Sequence, residues 1–394
     1  MRSRQRNRLV AAALSRRQFL ARAGALGGAV VLSPSLLAAC GGDDDDDGGS
    51  SGGGGGGGQD LAISNWTGYM TDQSLADFEA ETGITVDYAE DINDNNEYFT
   101  KIRPNLSQGE GTGRDGMVLT DWMASRLINQ VDPPWVQGFN EARFPNKANL
   151  VAALQSPSFD PQRTYSAPWA TGMTGIAYNI ALTGKEIRTI DEFLEVSGTT
   201  TVLTEMRDTV GLFMLASGAD PSQPTFDAAQ PAFDALEAAV NDGKIDGFNG
   251  NDYVSDLGAG NLAAAFTWSG DVSQITLENP DVRFAFPDSG GMLWSDNFLI
   301  PIGTDNVDLA TDWINFFYDP VNAAVLTSGI FFNSPVAGVA EELTKLGGEA
   351  AALVENPLVV PTEESLAALS IFGTLEAEEE EAFDQRFSEI LGAG

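Results

Sequence analysis

The chain has 394 residues, 43% of them hydrophobic, and carries 57 acidic against 21 basic side chains. That length exceeds one ordinary core and points to two domains. So acidic a surface does not bind nucleic acid, whose phosphates must be neutralised; with no histidine and one cysteine, histidine-based triads, structural zinc sites and an intrachain disulfide are excluded.

Seven of the basic residues (Arg2, Arg4, Arg6, Arg8, Arg16, Arg17 and Arg22) precede Cys40, where there are no acids, which leaves 57 acids against 14 bases for the remainder. Residues 1–39 read as a targeting segment that takes no part in the fold. Ser15-Arg16-Arg17-Gln18-Phe19-Leu20 resembles the twin-arginine export motif, and an apolar run follows it. Gly24, Gly27, Gly28 and Pro34 interrupt that run, and it falls short of the ~20 residues of a membrane span. It ends in Leu37-Ala38-Ala39-Cys40, which is similar to the bacterial lipobox and implies cleavage before Cys40 and lipidation of that residue. Residues 40–59 hold five consecutive aspartates and a glycine run; with almost nothing apolar to bury, they read as a disordered tether. The aspartate run lacks the turn-forming spacing of a calcium loop, and no metal site is expected.

The folded part opens with a strand at residues 61–65. Thr71 or Asp72 caps a helix carrying Leu75 and Phe78, which Gly83 ends. Residues 84–88 alternate as a second strand. A helix follows over 95–106, weakened near Pro104, then a strand at 117–119 and a helix over 122–129. This alternation predicts an α/β lobe with a mostly parallel sheet. Ligands of such sheets sit beyond the carboxyl ends of the strands, where Trp66, Tyr69, Asp121 and Trp122 fall.

Residues 133–164 carry little periodic signal and read as loop with short helices. Residues 168–172, whose small members suit a hinge, precede a strand at 175–179. Further strands are predicted at 201–204, 263–268 and 283–286, with helical sequence through Ala216 and again around Phe233, Leu236 and Val240. Leu309, Trp313, Phe316 and Phe317 form the stripe of a helix that stops at Asp319-Pro320, which places Trp313 in the core. Phe383, Phe387, Ile390 and Leu391 do the same for a last helix whose early glutamates suit its dipole.

Three blocks set an aromatic ring within three residues of a carboxylate or hydroxyl: Trp66-Thr67-Gly68-Tyr69, Trp268-Ser269-Gly270-Asp271 and Trp294-Ser295-Asp296. Rings attract ammonium groups through their faces and carboxylates fix them, so the combination suits an organic cation. Each tryptophan has core packing as its other reading. Asp296 borders the apolar Phe298-Leu299-Ile300 and needs a partner, which a ligand ammonium, Arg207 or Arg283 would each supply.

In their order these blocks resemble the spermidine/putrescine-binding proteins that serve ABC importers. Asn65-Trp66-Thr67-Gly68-Tyr69 resembles the family's opening motif, residues 115–122 the strand and turn bearing a second aromatic, and 168–179 the hinge-crossing segment. Trp268-Ser269-Gly270-Asp271, Gly290-Gly291-Met292-Leu293-Trp294-Ser295-Asp296 and Trp313-Ile314-Asn315-Phe316-Phe317 follow in the family's order. The resemblance implies an α/β, two-lobe, type II periplasmic-binding-protein-like fold, its lobes joined by crossover strands around a ligand cleft. Residues 60–170 and 294–340 form one lobe and 171–293 and 341–394 the other. Trp66, Tyr69, Trp122, Trp268 and Trp294 are the implied aromatic walls, Asp296 and Asp271 the amine anchors, Thr120 and Asp121 neighbours at the floor or rim, and Thr67, in the opening motif, a further ligand-site residue. The family's other acidic positions align with Met206 and Thr209; here Glu205 and Asp208 stand one step away, and Phe332 stands where members can have tyrosine.

The resemblance further implies a monomeric, non-catalytic polyamine receptor without cofactor. It is anchored through the lipid on Cys40 to the outer side of the cytoplasmic membrane, and its partners are the ligand and ABC permease subunits. Other readings of the residues are a receptor for a sugar, an amino acid or a betaine-like cation, and an anchored hydrolase pairing Asp271 with Asp296.

Overall fold

The computed structural model describes residues 59–392; the targeting segment, Cys40 and all but the last residue of the expected tether lie outside them. Gln59, expected in the tether, opens strand β1 (Gln59–Trp66). Leu61 and Ile63 point inward with no exposure. Thr71 accepts from the Ser74 amide to cap the helix Asp72–Thr82, and Gly83, at φ 75, ends it. β2 (Ile84–Ile92) then runs parallel to β1. After the helix Asn95–Leu106 comes β3 (Gly116–Thr120), also parallel to β1, which leads without a loop into the helix Asp121–Asn129.

A short β4 (Val136–Gln137) and three single-turn 3-10 helices fill the region that carries little periodic signal. β5 (Ser166–Asn179) is then one strand of 14 residues, buried throughout. The expected break between residues 168–172 and 175–179 is therefore absent. Gly172 also answers a packing need: a Cβ there would stand 2.3 Å from the Trp294 ring.

β6 (Thr200–Leu203), β7 (Gly247–Asn249) and β8 (Ala264–Trp268) form a second parallel group, and β9 (Val282–Ala285) pairs with β5. β10 (Gly291–Pro301) lies antiparallel to β5 along most of its length. The order β2-β1-β3-β10-β5-β8-β6-β7 thus sets a parallel group at each end of one sheet, with the β10–β5 pair between them. β3 meets β10 at Asp296 to Leu299, and β8 meets β5 at Thr174 to Tyr178, so each end of the long pair serves a different group.

Helices missing from the expectation include Tyr253–Ala259, Pro320–Ile330 and Val339–Leu346. The second of these is apolar nearly all round and buried from Ala323 to Ser328, so it lacks the one-sided stripe that marks a surface helix. Trp313 has no exposure and stacks on Trp169 at 5.9 Å, as core. β11 (Leu369–Ser370) adds to the start of β10, and the helix Ala377–Leu391 packs Phe383 against Phe226 and Phe233.

Candidate functional site

Strand ends bring the distant rings together. Trp66 closes β1, its Nε1 fixed by donation to the Val118 carbonyl at 3.0 Å. Gly68, at φ 78, turns the chain so that Tyr69 faces back over the strand end. Trp268 closes β8 and Trp294 lies on β10. Trp66 meets Trp268 edge-on at 5.8 Å, Trp268 meets Trp294 at 6.3 Å, and Phe332 touches both Trp294 (5.8 Å) and Tyr69 (4.8 Å). Trp66, Tyr69, Trp268 and Trp294 wall a cavity between the two parallel groups, with about 680 Å³ of space counted out through its mouth, and Phe332 packs against two of them from outside its lining.

Four carboxylates face that cavity: Asp296, Asp208, Glu205 and Asp121. Asp296 accepts from the Tyr69 hydroxyl and from Thr120 Oγ1, both at 2.7 Å. Its partners are neutral, so neither Arg207 nor Arg283 supplies the charge expected of them. Arg207 donates to Glu380, and Arg283 donates to main-chain carbonyls. Burial pushes Asp296 up to about 7, against the pull of the two hydroxyls. Asp208 accepts from Thr174 Oγ1 at 2.5 Å and from Trp268 Nε1 at 3.3 Å, and burial raises it to about 6. Thr174 in turn accepts from Trp294 Nε1 at 3.0 Å, so one hydroxyl orients both an acid and a ring.

The other two acids are committed to amides. Glu205 Oε1 accepts from both the backbone N–H (2.7 Å) and Nδ2 (2.8 Å) of Asn95, at the start of the helix Asn95–Leu106. That end of a helix favours an acceptor. Asn95 Nδ2 also donates to Thr120, linking Glu205 to Asp296. Burial first, then Asp94 and Asp208, hold Glu205 well above the carboxylate range. Asp121 accepts from Asn297 Nδ2 at 2.6 Å, and burial raises it to about 6.

Of the expected site residues, Trp66, Tyr69, Thr120, Asp121, Trp122, Glu205, Asp208, Trp268, Trp294 and Asp296 share the cavity; Thr67 and Asp271 do not line it. Asp271 lies in the first turn of the helix Ser269–Glu278 and accepts from the Tyr253 hydroxyl at 2.5 Å, behind the wall. Asp271 and Asp296 therefore do not face each other across one cavity, as a paired-carboxylate hydrolase would require. Trp122 lines the cavity, but its ring carries the Arg207 guanidinium 3.7 Å from its centre. Sequence reasoning missed Thr174, Asn251, Met292, Ile371 and Phe372 in the lining or its supports. No motif or periodicity marks them as lining residues in the sequence; in the structure Ile371 is an apolar residue left 58% exposed.

Two α/β groups joined through a long strand pair, with rings and carboxylates converging between them, define a two-lobe solute-binding protein. Residues 73–354 match the bacterial extracellular solute-binding protein family, and the chain belongs to it. It is 28% identical over 333 residues to the putrescine-binding periplasmic protein PotF of Escherichia coli (strain K12), covering 78% of this chain and 85% of that one. To the spermidine/putrescine-binding periplasmic protein 1 of Haemophilus influenzae it is 23% identical, with 76% and 80% covered. A solved structure assigned as a spermidine/putrescine ABC transporter from Listeria monocytogenes superposes with a TM-score of 0.74 at 26% identity, covering 84% of this chain and 98% of that one.

Proposed function

We propose that the protein is the solute-binding component of an ABC importer, capturing a polyamine, spermidine or putrescine, between its lobes and handing it unchanged to the membrane permease. The observation that carries this reading is Asp296: a carboxylate 3% exposed, facing the cavity, held by two hydroxyls and, among the described residues, by no cation. A ligand ammonium supplies the missing charge, and Trp66, Tyr69, Trp268 and Trp294 supply faces for its methylenes. Asp208 anchors the second amine. The relatives named for putrescine and spermidine support the ligand class.

On this reading residues 60–170 and 294–340 make one lobe, 171–293 and 341–394 the other, and β5 with β10 carries the crossovers. Residues 1–39 direct export, Cys40 bears the lipid, and residues 40–58 hold a monomeric receptor off the outer face of the cytoplasmic membrane. A few cation–π contacts of ~0.5–2 kcal/mol and charge-assisted bonds of ~1.5–3 kcal/mol, less the cost of ordering the ligand, give a Kd near ~1 μM.

Calorimetric titration and thermal shift with spermidine, putrescine and a neutral sugar test the proposal. Either amine should raise Tm by linkage. A shift with the sugar and none with either amine rejects it.

A further inference from the structure

Trp122 is a cavity aromatic whose ring face is already taken. Arg207, 7% exposed at the start of the helix Met206–Ser217, lays its guanidinium 3.7 Å from the centre of that ring. Arg126 approaches the same ring at 5.1 Å. Arg207 is held in place by Glu380 of the helix Ala377–Leu391, whose Oε1 accepts from Arg207 Nη2 at 2.5 Å and lies 2.9 Å from Arg126 Nη2. Gln130 donates to the other Glu380 oxygen at 2.9 Å, and Asp384 meets Arg126 at 3.3 Å. Two guanidinium groups thus divide one buried carboxylate. Arg207 Nε and Nη1 have no hydrogen-bond partner among the described residues, which leaves donors and positive charge at this end of the cavity.

The acids divide in a matching way. Glu205 is committed to Asn95 and Asp121 to Asn297. Asp296 and Asp208 are held by hydroxyls and an indole N–H instead of amides, and in the function proposed above these two receive the amines.

We infer that Arg207 occupies the place a third ammonium would take on Trp122, and so makes the cleft a receptor for a short diamine rather than for a longer triamine. This rests on the polyamine reading given above and narrows it. A diamine finds two carboxylates and the rings of Trp66, Trp268 and Trp294. A third ammonium reaches a ring face filled by a guanidinium, where steric exclusion and like charge in a low-dielectric site act together. The C-terminal helix enters the specificity indirectly, because Glu380 pins Arg207 on the ring.

The test is calorimetric titration of the protein with putrescine and with spermidine, repeated for Arg207→Met. The protein itself should bind putrescine at least about tenfold more tightly than spermidine. Arg207→Met, which removes the guanidinium nearest the Trp122 ring while Arg126 still pairs with Glu380, should reduce that ratio by about tenfold. Equal or tighter binding of spermidine by the protein overturns the inference, whether or not the variant folds. So does a folded variant with an unchanged ratio. Failure of both amines to bind removes instead the polyamine reading beneath it.

Discussion

The Tyr69 hydroxyl donates to Oδ2 of Asp296 at 2.7 Å, joining the turn after β1 to the middle of β10 across 227 positions. The contact orients the carboxylate without neutralising it. Burial then favours the protonated acid, up to about 7, while the same burial and the neighbouring carboxylate raise the Tyr69 phenol well above its ordinary value. Without ligand the cleft therefore holds its acids partly protonated near neutrality, and a bound ammonium must displace those protons.

Amine binding should accordingly release protons and weaken as pH falls. Asp296, at about 7, and Asp208, at about 6, must both be ionised to hold a dication. Affinity should be greatest above about pH 7 and fall by at least roughly tenfold toward pH 5. Titration calorimetry in two buffers of different ionisation enthalpy, near pH 6.5, reads the proton count directly. Equal apparent enthalpies in the two buffers would mean that no proton moves.

The ligand-free protein should lose stability as pH rises through the same range. Asp296 and Asp271 are raised from 3.8 to about 7 in the folded state, and Asp208 and Asp121 to about 6. Folded-state values above the unfolded ones contribute stability that is complete below about pH 4 and is lost as pH climbs through about 6 to 7. A tenfold difference in proton affinity between the folded and unfolded chain is worth ~1.4 kcal/mol. Tm without ligand should therefore be higher near pH 5 than near pH 8, and saturating amine should reduce the difference. A ligand-free Tm that rises with pH over this range counts against buried, unneutralised acids.

Asp296→Asn removes the charge and keeps the shape. Loss of one charge-assisted contact of ~1.5–3 kcal/mol predicts a Kd weaker by more than roughly tenfold. Without ligand the variant should be no less stable than the parent at pH 8, since the group it replaces is an unpaired buried anion. Unchanged affinity in calorimetry would take this residue out of the site.

Gly172→Ala tests the wall. The added methyl would lie 2.3 Å from the Trp294 ring, between β5 and β10, so the ring or the strand must move. Overpacking of this kind costs ~1–3 kcal/mol. Tm should fall and amine binding weaken together, because Trp294 is both packed on β5 and part of the cavity. Normal binding in a destabilised variant would place the ring outside the ligand's reach.

How these residues were legible in the sequence follows from distance along the chain. Trp66 and Tyr69 follow a run that reads as a strand, and strand ends are where α/β sheets gather ligands, so pattern alone carried them there; Trp294, inside β10, was placed by the resemblance. Glu205 and Asp208 stand one step from the family's positions, yet the helix starting at Met206 turns both toward the cavity. Asp271 misleads because its local block looks like that around Asp296. One acid opens a helix and faces Tyr253, the other lies in a strand and faces the cleft, and no short motif distinguishes them. The Arg207–Glu380 pair spans 173 positions and depends on how the last helix docks, which periodicity does not encode.

The sequence places Glu205 among the ligand-site residues, one step from a family acid, and its geometry assigns it a task that experiment can separate from anchoring an amine. Its carboxyl reaches across the cavity to cap the helix that begins at Asn95, and Asn251 N–H reaches Asn93 Oδ1 at 3.0 Å beside it, so both contacts join the two strand groups. Burial first, then Asp94 and Asp208, raise it well above the ordinary carboxylate range, and a glutamine keeps an acceptor oxygen for the two Asn95 donors. Glu205→Gln should therefore keep amine affinity within about threefold, whereas Glu205→Ala, which deletes two hydrogen bonds across the cleft, should weaken it by roughly tenfold. Small-angle scattering of the ligand-free alanine variant should show a larger radius of gyration than the parent, the sign of a cleft held less tightly closed. If glutamine costs as much affinity as alanine, the charge itself contacts the ligand, and Glu205 is an anchor after all.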